Sequence, residues 1–147
     1  HEIVREGLAA NLAQFAEISR RFLEKAQFLK QSELLHDAET LGDMRQQEGY
    51  DSELQALQKL FQDIVVAMLA RETSPAVKRT VLADITRLCV FFGTAITNNL
   101  ILPLTITFLN DVEWRLRYSF FQCIAGVATF VGMMSLERFI LPCIYQV

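Results

Sequence analysis

Paired cysteines, histidines and glycine-rich loops are scarce in this sequence. Its three cysteines, Cys89, Cys123 and Cys143, lie 34 and 20 residues apart in apolar segments, and no CxxC occurs. An odd, widely spaced set argues against a disulfide framework. It reads instead as reduced, buried small hydrophobes of a cytosolic protein. There is no HExxH, no GxSxG and no glycine-rich phosphate loop, so the common hydrolytic and nucleotide-binding chemistries have no foothold. The two histidines are His1 and His36. His36, Asp37 and Glu39 are near neighbours, but three such side chains on what reads as a solvated loop make a poor metal site. No catalytic, cofactor-binding or metal-binding residue is expected in this segment. A formal net charge of -3 gives no basic footprint for nucleic acid. The longest apolar run, Tyr118 to Met134, is 17 residues and is diluted by Ser119, Gln122 and two glycines. That is short of the roughly 20 residues a membrane span needs.

What the chain does have is apolar side chains, 52% of the total, and an internal repeat. Ile101-Leu102-Pro103 returns as Ile140-Leu141-Pro142, and Gly93 returns as Gly132, both at an offset of 39 residues. Val77 and Leu116, Lys78 and Arg117, Ile85 and Ile124, and Phe91 and Phe130 keep the same offset. A shared offset across helix-length apolar segments marks a stacked-helix repeat in the HEAT and armadillo range.

The expected architecture is all-α: a HEAT/armadillo-like α-solenoid of three helix pairs, a fragment of a larger chain. The pairs are 2–32 with 51–72, 74–93 with 97–110, and 112–132 with 135–147, with an acidic flexible insertion at 33–50. In the first helix Leu8, Leu12, Phe15, Phe22, Ala26 and Leu29 form one stripe, which predicts the face that packs inward. Asp51 is the expected N-cap of the second helix, and Ser74-Pro75 opens the third, with serine capping and proline at the first helical position. Gly93 ends that helix. Leu116, Phe120, Cys123, Val127 and Met134 are the expected inner face of the fifth helix, and Ser135 the cap of the sixth. Pro103 and Pro142 fall inside their helices and should bend them alike.

Polar candidates are few. Trp114, Arg115 and Arg117 form the densest aromatic and cationic knot, of the residue types enriched at interface hot spots. The alternative is local: Trp114 staples the helix start and the arginines meet Asp111 and Glu113. Arg87, alone in an apolar helix, should pair with Asp84 or with a carboxylate of the adjacent unit.

Several ordered strings are distinctive: Tyr50-Asp-Ser-Glu-Leu-Gln-Ala-Leu57, Asp84-Ile-Thr-Arg-Leu-Cys-Val-Phe-Phe-Gly93, Ile106-Thr-Phe-Leu-Asn-Asp111, Trp114-Arg-Leu-Arg117 and Gly126-Val-Ala128. Together they resemble the HEAT-repeat region of the regulatory subunits of class III phosphatidylinositol 3-kinase complexes, the vacuolar-protein-sorting-fifteen family. The resemblance covers residues 50–147 well and the first helix more loosely. It implies a longer chain with a serine/threonine protein-kinase-like domain before this region and a WD40 propeller after it. It also implies partnership, through that full-length chain, with a class III lipid-kinase catalytic subunit and a Beclin-type subunit. The implied location is cytoplasmic, peripheral on endosomal and autophagic membranes, with membrane contact indirect. The rival readings are a generic HEAT or armadillo trafficking adaptor and a membrane-embedded helical protein.

Overall fold

Two glycines set the plan of the chain. Gly93 (φ 81°, ψ 170°) and Gly132 (φ 87°, ψ 168°) occupy backbone space that essentially only glycine enters without strain. At each, one helix stops and the next leaves in a new direction. The computed structural model describes residues 1–34 and 42–145, and among these all regular structure is helical. The helices are α1 (Glu2–Leu34), α2 (Gly42–Val66), α3 (Pro75–Ala83), α4 (Ile85–Ile96), α5 (Leu102–Ile106), α6 (Trp114–Val131), α7 (Met133–Ser135) and α8 (Leu141–Tyr145). Gly93 interrupts α4 near its end, so the helical path restarts at once, ahead of the expected start at Thr97. The Thr97 hydroxyl donates to the Cys89 carbonyl at 3.4 Å. In a straight helix, residues eight apart are about 12 Å apart along the axis, so this bond records how sharply the chain folds back.

The repeat seen in the sequence is repeated in the backbone. A π turn, Thr97–Ile101, precedes α5, and a second, Leu136–Ile140, precedes α8. In the first, the Leu102 amide donates to the Thr97 carbonyl; in the second, the Leu141 amide donates to the Leu136 carbonyl. Pro103 and Pro142 follow directly. A proline ring in a regular α-helix collides with the carbonyl four residues back, and the wider turn lets it pass. The distortion expected from the prolines thus takes the form of a π turn. A 3-10 turn, Thr107–Asn110, closes the second unit.

The first helices of the units stand side by side: α1 packs on α3 and α4, and these pack on α6. α2 lies against α1, and α5 touches the π turn Ala67–Arg71 that continues α2. The core runs through the stack at equivalent positions. Val77 and Leu116, Val81 and Phe120, Ile85 and Ile124, Leu88 and Val127, and Ile101 and Ile140 are all buried, each pair at the 39-residue offset. Phe61 of α2 meets Phe91 of α4 edge to face, with ring centroids 5.2 Å apart. Such a pair adds about 0.5–1.5 kcal/mol beyond the area it buries.

Several expectations need correction. Of the expected stripe of α1, Leu12 is buried, but Leu8, Phe15, Phe22 and Leu29 face solvent, and the buried seam is Leu12 with Ala9, Ala13 and Ala16. Small side chains there let α1 approach its neighbours closely, which the spacing of large residues could not reveal. Helix reaches into the expected 33–50 loop from both sides, to Leu34 and from Gly42, so Asp51 lies inside α2 and caps nothing. A lone interior glycine such as Gly49 costs only about 1 kcal/mol, which packing of the later turns on α1 outweighs. The rest of that insertion, with the His36, Asp37 and Glu39 cluster, lies outside the described residues. Met134 is exposed. The last helical path begins at Met133, and Ser135, inside it, donates its hydroxyl to Asn98 Oδ1 of the preceding unit at 2.8 Å. Ser74 does cap α3, accepting from the Val77 amide at 3.4 Å, with Pro75 in the first turn.

Candidate interaction surface

The turn before α6 explains the Trp114 knot. Asp111 Oδ1 accepts the Glu113 amide at 2.9 Å, and Glu113 caps α6 by accepting the Arg115 amide at 3.3 Å. Asp111 therefore braces the turn just before the cap. Arg117 donates Nη1 to the Asp111 carbonyl at 2.7 Å and to the Val112 carbonyl at 3.1 Å. Its Nη1 fastens the turn. Arg115 lies over the Trp114 ring, 5.2 Å from the centroid, with Nη1 3.9 Å from Glu113 Oε1. Trp114 itself is 58% exposed. Of the three candidates, Trp114 and Arg115 present themselves to solvent and Arg117 is a turn brace.

Two apolar faces lie open at opposite ends of the stack. On α6, Trp114, Tyr118 and Phe121 are exposed on the side away from the buried Leu116, Phe120 and Val127. On α1, Val4, Leu8, Phe15, Ile18, Phe22 and Leu29 are exposed. At about 100° per residue, that row is centred well round the helix from the Ala9–Ala16 seam. Large apolar side chains grouped on one face of a helix are the kind of surface that takes up a protein, membrane or ligand contact.

Between α1 and α4 runs a groove of about 230 Å³ lined by Glu17, Arg20, Arg21, Glu24, Arg87 and Phe91, among others. Its charges answer one another. Arg87 bonds Glu17 of α1 at 3.0 Å and lies 3.6 Å from Asp84, so both expected partners are present. Arg20 bonds Glu24 at 2.9 Å. The hydrogen bond from Arg87, with Arg21 nearby, holds the Glu17 carboxyl below its ordinary value. A second clamp joins the start of α1 to the α2–α3 turn. Glu72 accepts from Arg5 Nε at 2.6 Å and from the amides of Thr73 and Ser74 at 2.9 and 3.0 Å. The Arg5 bond, and then the amide bonds, pull its carboxyl from 4.5 down to about 2.

Sequence reasoning missed Gln58. Its side-chain amide donates to the carbonyls of Phe91 (3.1 Å) and Phe92 (3.4 Å). Those carbonyls are left without helical partners where Gly93 breaks α4, so a residue of one unit closes the helix end of the next. Nothing local to Gln58 marks this role. Cys89 and Cys123 are buried, and desolvation pushes both thiols up to about 11. That is the behaviour of packing residues. Among the described residues, no group of three His, Cys, Asp or Glu side chains is placed to hold a metal. The joined helical path Ile85–Asn110, 26 residues, is by length and mean hydropathy apolar enough to cross a membrane. Gly93 breaks it, and neither piece reaches the roughly 20 residues required.

A family model described as PIK3R4-like, middle domain, matches residues 1–147. Similar proteins include a "Probable serine/threonine-protein kinase vps15" of Dictyostelium discoideum, 45% identical over 97% of this chain and 7% of its own length. A "non-specific serine/threonine protein kinase" of Candida glabrata is 34% identical over 98% of this chain and 10% of its own. The "Serine/threonine-protein kinase VPS15" of Arabidopsis thaliana is 33% identical over 82% of this chain and 9% of its own. The chain thus spans no more than a tenth of the length of these relatives.

Proposed function

The chain belongs to the PIK3R4-like middle-domain family, and from that premise we propose that it is a non-catalytic scaffold segment of the regulatory, protein-kinase-like subunit of a class III phosphatidylinositol 3-kinase complex. In this reading the segment is a run of HEAT-type repeats that fixes the spacing between the domains on either side of it. The full-length chain holds the lipid-kinase catalytic subunit and a Beclin-type subunit. It supports phosphatidylinositol 3-phosphate production for autophagy and for endosomal and vacuolar sorting. The complex works in the cytoplasm, peripherally on endosomal and autophagic membranes.

The observation that carries this reading is the family match along the whole chain. The physical character of the segment supports it. A stack whose units are latched to one another by Gln58 and by Arg87 with Glu17, and whose first unit is clamped by Arg5 with Glu72, is suited to holding geometry, because each unit fixes its neighbour. The test is affinity purification of the full-length protein, with and without Phe120→Asp, followed by a lipid-kinase assay on the eluate. The native protein should bring down 3-phosphoinositide synthesis, and the variant should lose it. An eluate without lipid-kinase activity from the native protein overturns the reading.

A further inference from the structure

Two guanidiniums share one carboxylate in the groove between α1 and α4. Glu17 gives Oε1 to Arg21 and Oε2 to Arg87. Arg20 pairs with Glu24, and Arg87 has Asp84 as a second neighbour. Arg21, the most exposed of the three arginines, turns one nitrogen to Glu17. A guanidinium carries five N–H donors, so Arg21 can take a further carboxylate. Lys25, one turn on, adds an exposed cation. The groove beside these charges is apolar: Ala13 and Phe91 line it together with Val90, which is 56% exposed. Arg21 and Glu24 also border a hollow with Phe28 and Leu29, both exposed, so the groove continues along α1. Ala13 and Phe28 lie about 22 Å apart along the helix axis, a span that about seven residues of extended chain cover.

We propose that this groove holds a short acidic segment of a partner protein, in extended form, with a large apolar side chain at each end and carboxylates between. One apolar side chain rests on Ala13, Val90 and Phe91, and the other on Phe28 and Leu29. The carboxylates meet Arg21 and Lys25. The volume beside Val90, about 230 Å³, suits one side chain and is small for a drug-sized ligand. Glu17 and Glu24 line the same groove. They repel the uniform negative charge of a membrane or a nucleic acid, whereas a peptide can set single carboxylates against single cations. Arg87 and Arg20 keep their own partners, so the latch between α1 and α4 survives occupation. The inference is independent of which complex the protein joins.

The test uses the purified full-length protein and fluorescein-labelled heptapeptides. Each has Leu or Phe at both ends and either three Glu or three Gln at the centre. Fluorescence anisotropy should show the Glu peptides binding about tenfold more tightly than their Gln counterparts, because charge-assisted hydrogen bonds are the stronger ones. Arg21→Glu should remove that preference and transfer it to peptides with three central Lys, a gain that a misfolded variant would not show. Val90→Asp should weaken the Glu peptides to a similar degree. A photo-reactive phenylalanine analogue at either peptide end should label α1 between residues 10 and 29 or α4 between residues 87 and 91. Glu peptides that bind no better than Gln peptides up to about 1 mM, a preference untouched by Arg21→Glu, or label placed elsewhere overturns the proposal. Arg21-dependent binding of phosphatidylserine vesicles in place of the peptides overturns it too.

Discussion

Gly126 of α6 lies directly against Thr86 of α4, and replacing it with alanine separates the stacked-helix account from one based on helix propensity alone. A Cβ at Gly126 would lie 2.5 Å from Thr86 Oγ1, 3.2 Å from Cγ2 and 3.4 Å from Cβ. Rotating Thr86 moves its hydroxyl away but leaves a γ atom near 3.2 Å, still tight. Overpacking of this kind costs about 1–3 kcal/mol. Alanine in a helix interior regains up to about 1 kcal/mol over glycine. Gly126→Ala should therefore be neutral to about 2 kcal/mol less stable. Thr86→Ala takes away both close atoms and leaves an ordinary contact. The double variant should then be about 1 kcal/mol more stable than the native chain, with a coupling of about 1–3 kcal/mol between the two positions. Urea melts of the native chain, both single variants and the double variant measure it. Stabilisation by Gly126→Ala alone, with additive effects, would refute the close packing of α4 on α6.

Other outcomes follow from the same contacts. Phe120 is fully buried, so Phe120→Asp loses about 3–5 kcal/mol of packing and strands a charge in the core; circular dichroism should show no cooperative melt, and a native-like melt contradicts the core assignment. Gln58→Leu leaves the carbonyls of Phe91 and Phe92 without their donor and should cost about 1–2 kcal/mol; an unchanged urea midpoint would mean that the latch contributes nothing. The Glu72 carboxyl is depressed from 4.5 to about 2 by Arg5 and two amides, so the folded state binds its proton less readily than the unfolded state. Its contribution is present above about pH 4.5 and is lost as pH falls toward 2. The stability gap between the native chain and Glu72→Gln should shrink over that window, and a gap independent of pH would count against the clamp.

The repeat was legible because it is written in residues that have no substitutes. Essentially only glycine takes the conformation at 93 and 132, and Pro103 and Pro142 each follow a π turn that accommodates the ring. Their common offset gave the stacked architecture directly. The inward face of α1 was illegible for the opposite reason. Its seam is alanine-rich, and close approach leaves a weaker mark than the large side chains that look outward. The boundary near 42 was missed because glycine normally reads as a break, whereas helix begins at Gly42 and runs on through Gly49; the one near 133 was missed because the helical path restarts directly after Gly132 and not at Ser135. Of the candidate contact residues, composition singled out Trp114, Arg115 and Arg117, but hydrogen-bond geometry was needed to separate the turn brace Arg117 from the two that face solvent. The Gln58 latch joins residues 33 and 34 positions apart, and no local pattern encodes such a pairing.

The most direct measurement is the lipid-kinase activity that travels with the full-length protein. Purified through a tag on this chain, the native protein should carry a catalytic subunit that makes phosphatidylinositol 3-phosphate, and Phe120→Asp should abolish that co-purification. A well-folded native preparation that brings down transport or trafficking partners, with no 3-phosphoinositide product, would leave the helical stack in place and contradict the function proposed for it.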